Sequence, residues 1–392
     1  MPLTFRPNPL LAATSAPPIP SAQVWKAQYQ GRLGPMIDLS QAVPGTPPPQ
    51  AFLQRLGAAA SEPDMSRYGP IYGDMALREA HAAETTRIYG GAVSTANVCI
   101  TAGCNLAFFN AMMALARAGD AVLLPTPWYF NHKMALDMLG IEARPLPCAA
   151  DTGFVPDPEA AARLIDGRVR AIVLVSPNNP TGAVYPPEVI AAFGDLARRS
   201  RIALVLDETY RDFLPDGQQR SHDLFTDPDW GETLVQLYSF SKAHAIPGHR
   251  LGAMVAAPEL MNEIAKLLDT IQICPARPAQ TVVSWAIAAQ RDWREAQRAE
   301  LRRRAEVTRA VFGAAEGWRI DSIGAYFAFI AHPLAGRSAA EAAEWLAREG
   351  GVLGLPGCFF GPGLETHMRI AFANVDSAAL GSLPERLSAL SG

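Results

Sequence analysis

Lys242 closes the segment Ser239-Phe240-Ser241-Lys242, directly after the apolar run Leu234–Tyr238. Loops at the ends of such strands form ligand crevices. A lysine held there among cationic and polar neighbours can lose its proton and attack an aldehyde. Ser239 stands three residues before it and Arg250 eight residues after it. Together the three side chains would set two donors on a phosphate and a Schiff base on the same ligand. Ser-x-Ser-Lys alone also describes a surface lysine after a strand, but Pro247, Gly248, Arg250 and Gly252 extend it into a far more specific pattern.

Asp207 and Tyr210 supply a second element, at the end of the apolar run Ile202–Leu206. A carboxylate facing the crevice would pair with a protonated ring nitrogen and keep the ring an electron sink. Tyr210 would donate to a phenolic oxygen on that ring. An acid ending a strand also serves as a helix cap. Asn179, in Ser176-Pro-Asn-Asn-Pro-Thr-Gly182 after the run Ala171–Val175, is a third candidate. The proline after it restricts its backbone, so its amide is presented with little freedom. Thr101-Ala-Gly-Cys-Asn105 is the fourth: Gly103 permits a tight turn, and the N–H groups of Gly103, Cys104 and Asn105 open a helix that favours an anion. Trp128, after Pro125-Thr-Pro127, would stack on the ring or simply fill core.

Elements able to position these residues follow from the pattern of apolar runs. Val98–Thr101, Ala121–Leu124, Ala171–Val175, Ile202–Leu206, Leu234–Tyr238 and Gly252–Ala256 read as buried strands. Amphipathic stretches at Met75–Tyr89, Leu106–Arg117, Phe130–Leu139 and Pro187–Arg199 read as helices. Apolar strands alternating with helices predict an α/β fold with a mostly parallel sheet covered on both faces. Beyond residue 257 a long helical stretch broken near Cys274-Pro275 precedes strand-like Tyr326–Ile330, a helix at Ala339–Arg348 and strand-like Met368–Phe372. That mixture predicts a smaller α+β domain. The proline-rich opening, with Pro17, Pro18, Pro20, Pro44 and Pro47 to Pro49, reads as an extended arm. The expected division is residues 1–45 as arm and part of the small domain, 46–272 as the large domain, and 273–392 as the C-terminal small domain.

Composition narrows the function classes. The chain has 392 residues, 49% hydrophobic and 18% charged, with a net charge of −4, which suits a globular protein and argues against a nucleic-acid partner. Arg302 to Arg304 sit in a mixed-charge helical stretch. Five scattered cysteines without CxxC spacing, and seven histidines without HExxH, argue against a disulfide framework and against a bound metal. No leader-like start and no membrane-length apolar run stand out, so the expected location is cytoplasmic.

Taken together, these residues resemble the fold-type I pyridoxal-phosphate enzymes, and within them the class I/II aminotransferases. The resemblance runs from about residue 34 to 375. It also takes in Tyr68-Gly-Pro-Ile-Tyr-Gly73 with Leu77-Arg78, and Met368-Arg369-Ile370. It implies a large domain with a seven-stranded sheet sandwiched by helices, pyridoxal 5′-phosphate on Lys242, and transfer of an amino group between an L-amino acid and a 2-oxo acid. Lys242 would also move the substrate's α-proton; Asp207 would hold the ring nitrogen; Asn179 and Tyr210 would bind the phenolic oxygen. Trp128 would stack on the ring, while Gly103, Cys104, Asn105, Ser239 and Arg250 would form the phosphate site. Tyr68 would reach the phosphate of a neighbouring subunit, making the enzyme a homodimer with shared sites. Arg369 would clamp the substrate carboxylate as a bidentate fork, with Asn179 and Ala42 beside the substrate.

Two departures stand out. Relatives often carry glycine where this chain has Ala42, and a small residue where it has Arg277. One expectation for Arg277 is that it reaches the neighbouring site and favours an acidic side chain; the other is a surface role. The alternatives to transamination are a C–S β-lyase or an aminocyclopropane-carboxylate-synthase-like eliminase of the same fold, and, from another class, a ligand-sensing regulatory protein.

Overall fold

Seven strands form one sheet in the order Val98–Thr101, Gly252–Val255, Leu234–Ser239, Ala203–Asp207, Val169–Val175, Ala121–Thr126 and Glu142–Pro147 in the computed structural model, which describes residues 5–388. Neighbours run parallel except for Gly252–Val255, which is antiparallel to both strands flanking it. The central strands are buried along their length, as expected of strands covered on both faces. Helices Met75–Tyr89, Pro187–Ser200 and Arg277–Ala289 share one apolar layer with the sheet. Cys104–Leu115, Phe130–Leu139 and Pro258–Ile271 share the other.

The reversed strand has a direct consequence for the site. Antiparallel register sets Gly252 opposite both Ser239 and Thr101. The loop entering that strand therefore lies at the edge where its neighbours end, which delivers Arg250 to the side of Ser239 and Gly103. Sequence distance becomes spatial contact only through this reversal.

A second sheet, Leu355–Pro356, His367–Ala371, Phe327–Ala331 and Arg319–Gly324, is antiparallel throughout and has its own apolar core. Ile37–Asp38 pairs in parallel with Val352–Leu353, tying the N-terminal segment to this smaller part. The α/β architecture expected from the sequence is present, a mostly parallel sheet between helices with a smaller mixed unit.

Several local expectations are corrected. The N-terminal arm contains helices Pro9–Ala13 and Pro18–Lys26, because proline is tolerated in the first helical turn, where its missing N–H has no partner to lose. Glu142–Pro147 is a strand that its charged, proline-containing sequence concealed; it is an edge strand with mostly partly exposed residues, where both features are tolerated. Arg319–Gly324 is likewise an edge strand absent from the sequence reading. The helical stretch past residue 257 breaks at Gln290 as well as at the expected turn. Arg277–Ala289 contributes Ala279, Val282, Val283 and Ala286 to the large core, although it lies beyond the expected boundary at residue 272.

Candidate active site

A cleft of about 230 Å³ lies between the carboxyl ends of the large sheet and the small sheet. Lys242, Asp207, Tyr210, Asn179, Ser239, Arg250, Arg369, Cys104, Asn105 and Ala42, all singled out by sequence, line it. Strand alternation separates Asp207 from its neighbour. Asp207 faces the cleft, whereas Glu208 is fully buried on the other side with Ser221, His222 and Gln236. Burial pushes the Glu208 carboxyl up, but His222, Arg211 and Ser221 outweigh it and hold the group at about 2.

Lys242 sits half-buried, its amine donating to the Ala42 carbonyl at 2.5 Å. Burial, then the positive charges of Arg250 and Arg369, push its pKa down to about 8. A substantial neutral fraction near pH 7–8 is what a nucleophilic or proton-moving amine needs. Asp207 is 4% exposed. Its Oδ1 accepts from the Thr209 N–H at 3.0 Å, the Thr209 hydroxyl at 2.7 Å and the Cys104 thiol at 3.7 Å. Its Oδ2 lies 3.2 Å from His132 Nε2, and the His132 ring stacks on Phe108 at 3.8 Å. Burial, then the nearby Asp207 charge, push the Cys104 thiol well up, so it stays a donor.

Arg369 projects from the centre of the small sheet and is 1% exposed. Burial pushes its pKa down to about 10, which still leaves it a cation at neutral pH. Nη1 donates to Asn179 Oδ1 at 3.0 Å and Nη2 to the Ser40 carbonyl. An arginine only donates, so Asn179 must turn its oxygen to Arg369 and leave its NH₂ as the donor available to the cleft. Tyr210 is 3% exposed, and burial pushes its hydroxyl well up, so it too is a neutral donor.

An anion cup lies at the other end. Helix Cys104–Leu115 opens at Gly103, whose φ of +91° is a conformation glycine reaches without strain. Its first N–H groups have no intrahelical partner. A Cβ on Gly103 would sit 2.4 Å from Arg250 Nη2, so the guanidinium lies directly against this turn. Ser241, which the sequence reading left unassigned, lines the same cleft, and its hydroxyl is buried without a partner among the described residues. Buried polar groups are normally satisfied. A phosphate in the cup fits this orphan hydroxyl, Ser239, Arg250 and the helix start, while the amine and the carboxylate suit an aldehyde-bearing pyridine.

Two sequence expectations shift. Trp128 is not in the cleft; it faces a separate cavity with Ser15, Pro18, Phe359 and Pro362. Tyr129 faces the cleft instead, its ring edge-on to His132 at 5.1 Å. The loop before helix Phe130–Leu139 turns the adjacent residue inward, and no periodicity marks which of two neighbouring aromatics that is. His132, in the first turn of that helix, was missed because a lone histidine in a helix carries no motif. Tyr68 lies outside the chain's own cleft and is 79% exposed. Arg277 pairs within its own chain: Nε meets Asp74 Oδ1 at 3.3 Å and Nη1 donates to the Asp64 carbonyl at 2.7 Å.

The family description "Aminotransferase class I and II" matches residues 34–387. The chain is 28% identical over 360 residues to an aromatic aminotransferase of Arabidopsis thaliana, covering 90% of this chain and 88% of that one. It is 29% identical to an aspartate aminotransferase of Pyrococcus horikoshii, covering 83% and 84%. Its structure matches that of Thermus thermophilus aspartate aminotransferase with maleate at a TM-score of 0.90 and 26% identity, over 99% and 100% of the two chains. Fold, cleft and sequence agree: the chain belongs to the class I and II aminotransferases, pyridoxal 5′-phosphate enzymes that move an amino group between an amino acid and a 2-oxo acid.

Proposed function

We propose that transamination in this protein turns on Lys242, with Asp207, Arg369 and the anion cup each holding one part of the reacting pair. The observation that carries this reading is the Lys242 amine, brought to about 8 in a cleft that also holds a buried carboxylate and a buried guanidinium. When bound, pyridoxal 5′-phosphate supplies an aldehyde that condenses with amines and a ring that draws electron density from the amino acid's α-carbon. Lys242 would hold the cofactor; once released, its amine would move the proton between the substrate α-carbon and the cofactor. Asp207, oriented by Thr209, Cys104 and His132, keeps a proton on the ring nitrogen. Asn179 and Tyr210 donate to the phenolic oxygen, and Tyr129 covers the ring in place of Trp128. Gly103, Cys104, Asn105, Ser239, Ser241 and Arg250 hold the phosphate. Arg369 binds the substrate carboxylate beside Ala42.

The division of the chain and its assembly belong to the same reading. We place the start of the C-terminal small domain near Gln290, since Arg277–Ala289 packs in the large core. The protein is a homodimer with shared sites, Tyr68 serving the neighbouring cleft. Tyr68, Ile71 and Met75 are exposed apolar side chains, as are Ile271 and Ile273, and the Gly69–Cys274 bond joins the two segments, which suits an interface there. Five free cysteines suit a reducing, cytoplasmic setting. The named relatives differ in their amino donors, so no single donor is carried over. A panel of amino acids mixed with the holoenzyme tests the reading: loss of cofactor absorbance and a 2-oxo product, sustained only with an added 2-oxo acid, are expected. Pyruvate and ammonia from one amino acid, with no acceptor needed, would replace it with a β-lyase.

A further inference from the structure

We propose that Arg277 is a positioning residue that sets the loop carrying Tyr68, and so tunes cofactor retention in the neighbouring subunit; this rests on the reading that Tyr68 serves that subunit's site. Tyr68 is 79% exposed, so its placement depends on its backbone. That backbone is tied to strand Val98–Thr101, where the Ile100 N–H donates to the Tyr72 carbonyl at 2.8 Å, and on both sides of Tyr68 to the segment Cys274–Gln280. Arg277 Nη1 donates to the Asp64 carbonyl at 2.7 Å, before Tyr68. Gly69, after it, donates to Cys274 Sγ at 3.3 Å. At the far end Asp74 meets Arg277 Nε at 3.3 Å, and its N–H donates to Gln280 Oε1 at 2.8 Å.

The charges explain why the clamp holds. Arg277 occupies the first position of helix Arg277–Ala289, where a cation opposes the helix dipole. Asp74 precedes helix Met75–Tyr89 yet makes no side-chain cap to it. Its carboxylate instead meets Arg277, lying close to two helix starts and relieving the misplaced cation. A Cβ on Gly69 would come within 3.0 Å of Arg277 Cδ and 3.1 Å of Asp74 Oδ1, so the pair packs flat against the residue next to Tyr68. The arginine acts through Tyr68, not on the substrate.

The test is cofactor release from dimeric holoenzyme, followed by absorbance after dilution into a trap for free pyridoxal phosphate, with mass checked by ultracentrifugation. Y68F is expected to speed release about tenfold, the loss of one charge-assisted hydrogen bond. R277M should match it, D74N should move in the same direction, and R277K should recover part of the loss. The double variant Y68F/R277M should release no faster than Y68F. Wild-type release from R277M and D74N beside fast release from Y68F overturns the clamp alone. So does a double variant near a hundredfold, which shows two independent effects. Wild-type release from Y68F, or a monomeric protein, sinks the shared-site reading and the clamp with it. If R277M does not fold, D74N and R277K decide the same question.

Discussion

Arg369 and Asn179 meet at 3.0 Å across the seam between the small and large sheets. One residue comes from the centre of the antiparallel sheet and the other from a loop after a strand of the parallel one. The bond couples the arginine proposed to bind the substrate carboxylate to the asparagine proposed to bind the ring's phenolic oxygen.

Replacing Arg369 with lysine keeps the charge but loses the planar fork. R369K is expected to raise the KM for the amino acid at least tenfold, about 1.4 kcal/mol, with the cofactor spectrum unchanged. Steady-state kinetics with absorbance spectra check both halves. Equal KM values would remove Arg369 from carboxylate binding.

Lys242 sets a pH dependence. Its pKa is lowered, to about 8, and the neutral amine is the reactive form. Attachment of pyridoxal phosphate to the cofactor-free protein should therefore accelerate as pH rises through about 8 and then level off. Stopped-flow absorbance between pH 6 and about 10 reads this directly. K242A should show no borohydride-stable label at any pH.

His132 secures one oxygen of Asp207 at 3.2 Å. Leucine there leaves that buried oxygen without its partner, a penalty of about 1–3 kcal/mol. H132L is expected to lower kcat about tenfold or more while the cofactor stays attached. Wild-type turnover would show that Thr209 and Cys104 suffice to orient the carboxylate.

Gly103 is set by both conformation and space. G103A forces a φ of +91° on a residue with a Cβ, and that carbon falls 2.4 Å from Arg250 Nη2. Cofactor affinity should drop about tenfold as the guanidinium is displaced, alongside roughly 1–2 kcal/mol of strain. Equilibrium titration and thermal denaturation separate the two effects.

The sequence alone determined which residues gather about the cleft: a lysine, a carboxylate, an asparagine and a glycine turn, each placed by a buried strand whose apolar run announces where it ends. Strand ends are local, so Lys242, Asp207, Asn179 and Gly103 were legible from composition and order. Tertiary structure decided what locality cannot. The reversed strand Gly252–Val255 brought Arg250 to Ser239, and the seam between sheets brought Arg369 to Asn179. The choice of Tyr129 over Trp128 depended on how one loop turns, and the recruitment of His132 depended on which helix face meets Asp207. Arg277 meets Asp74 more than two hundred positions away in the chain, because opposite charges near two helix starts attract regardless of sequence distance.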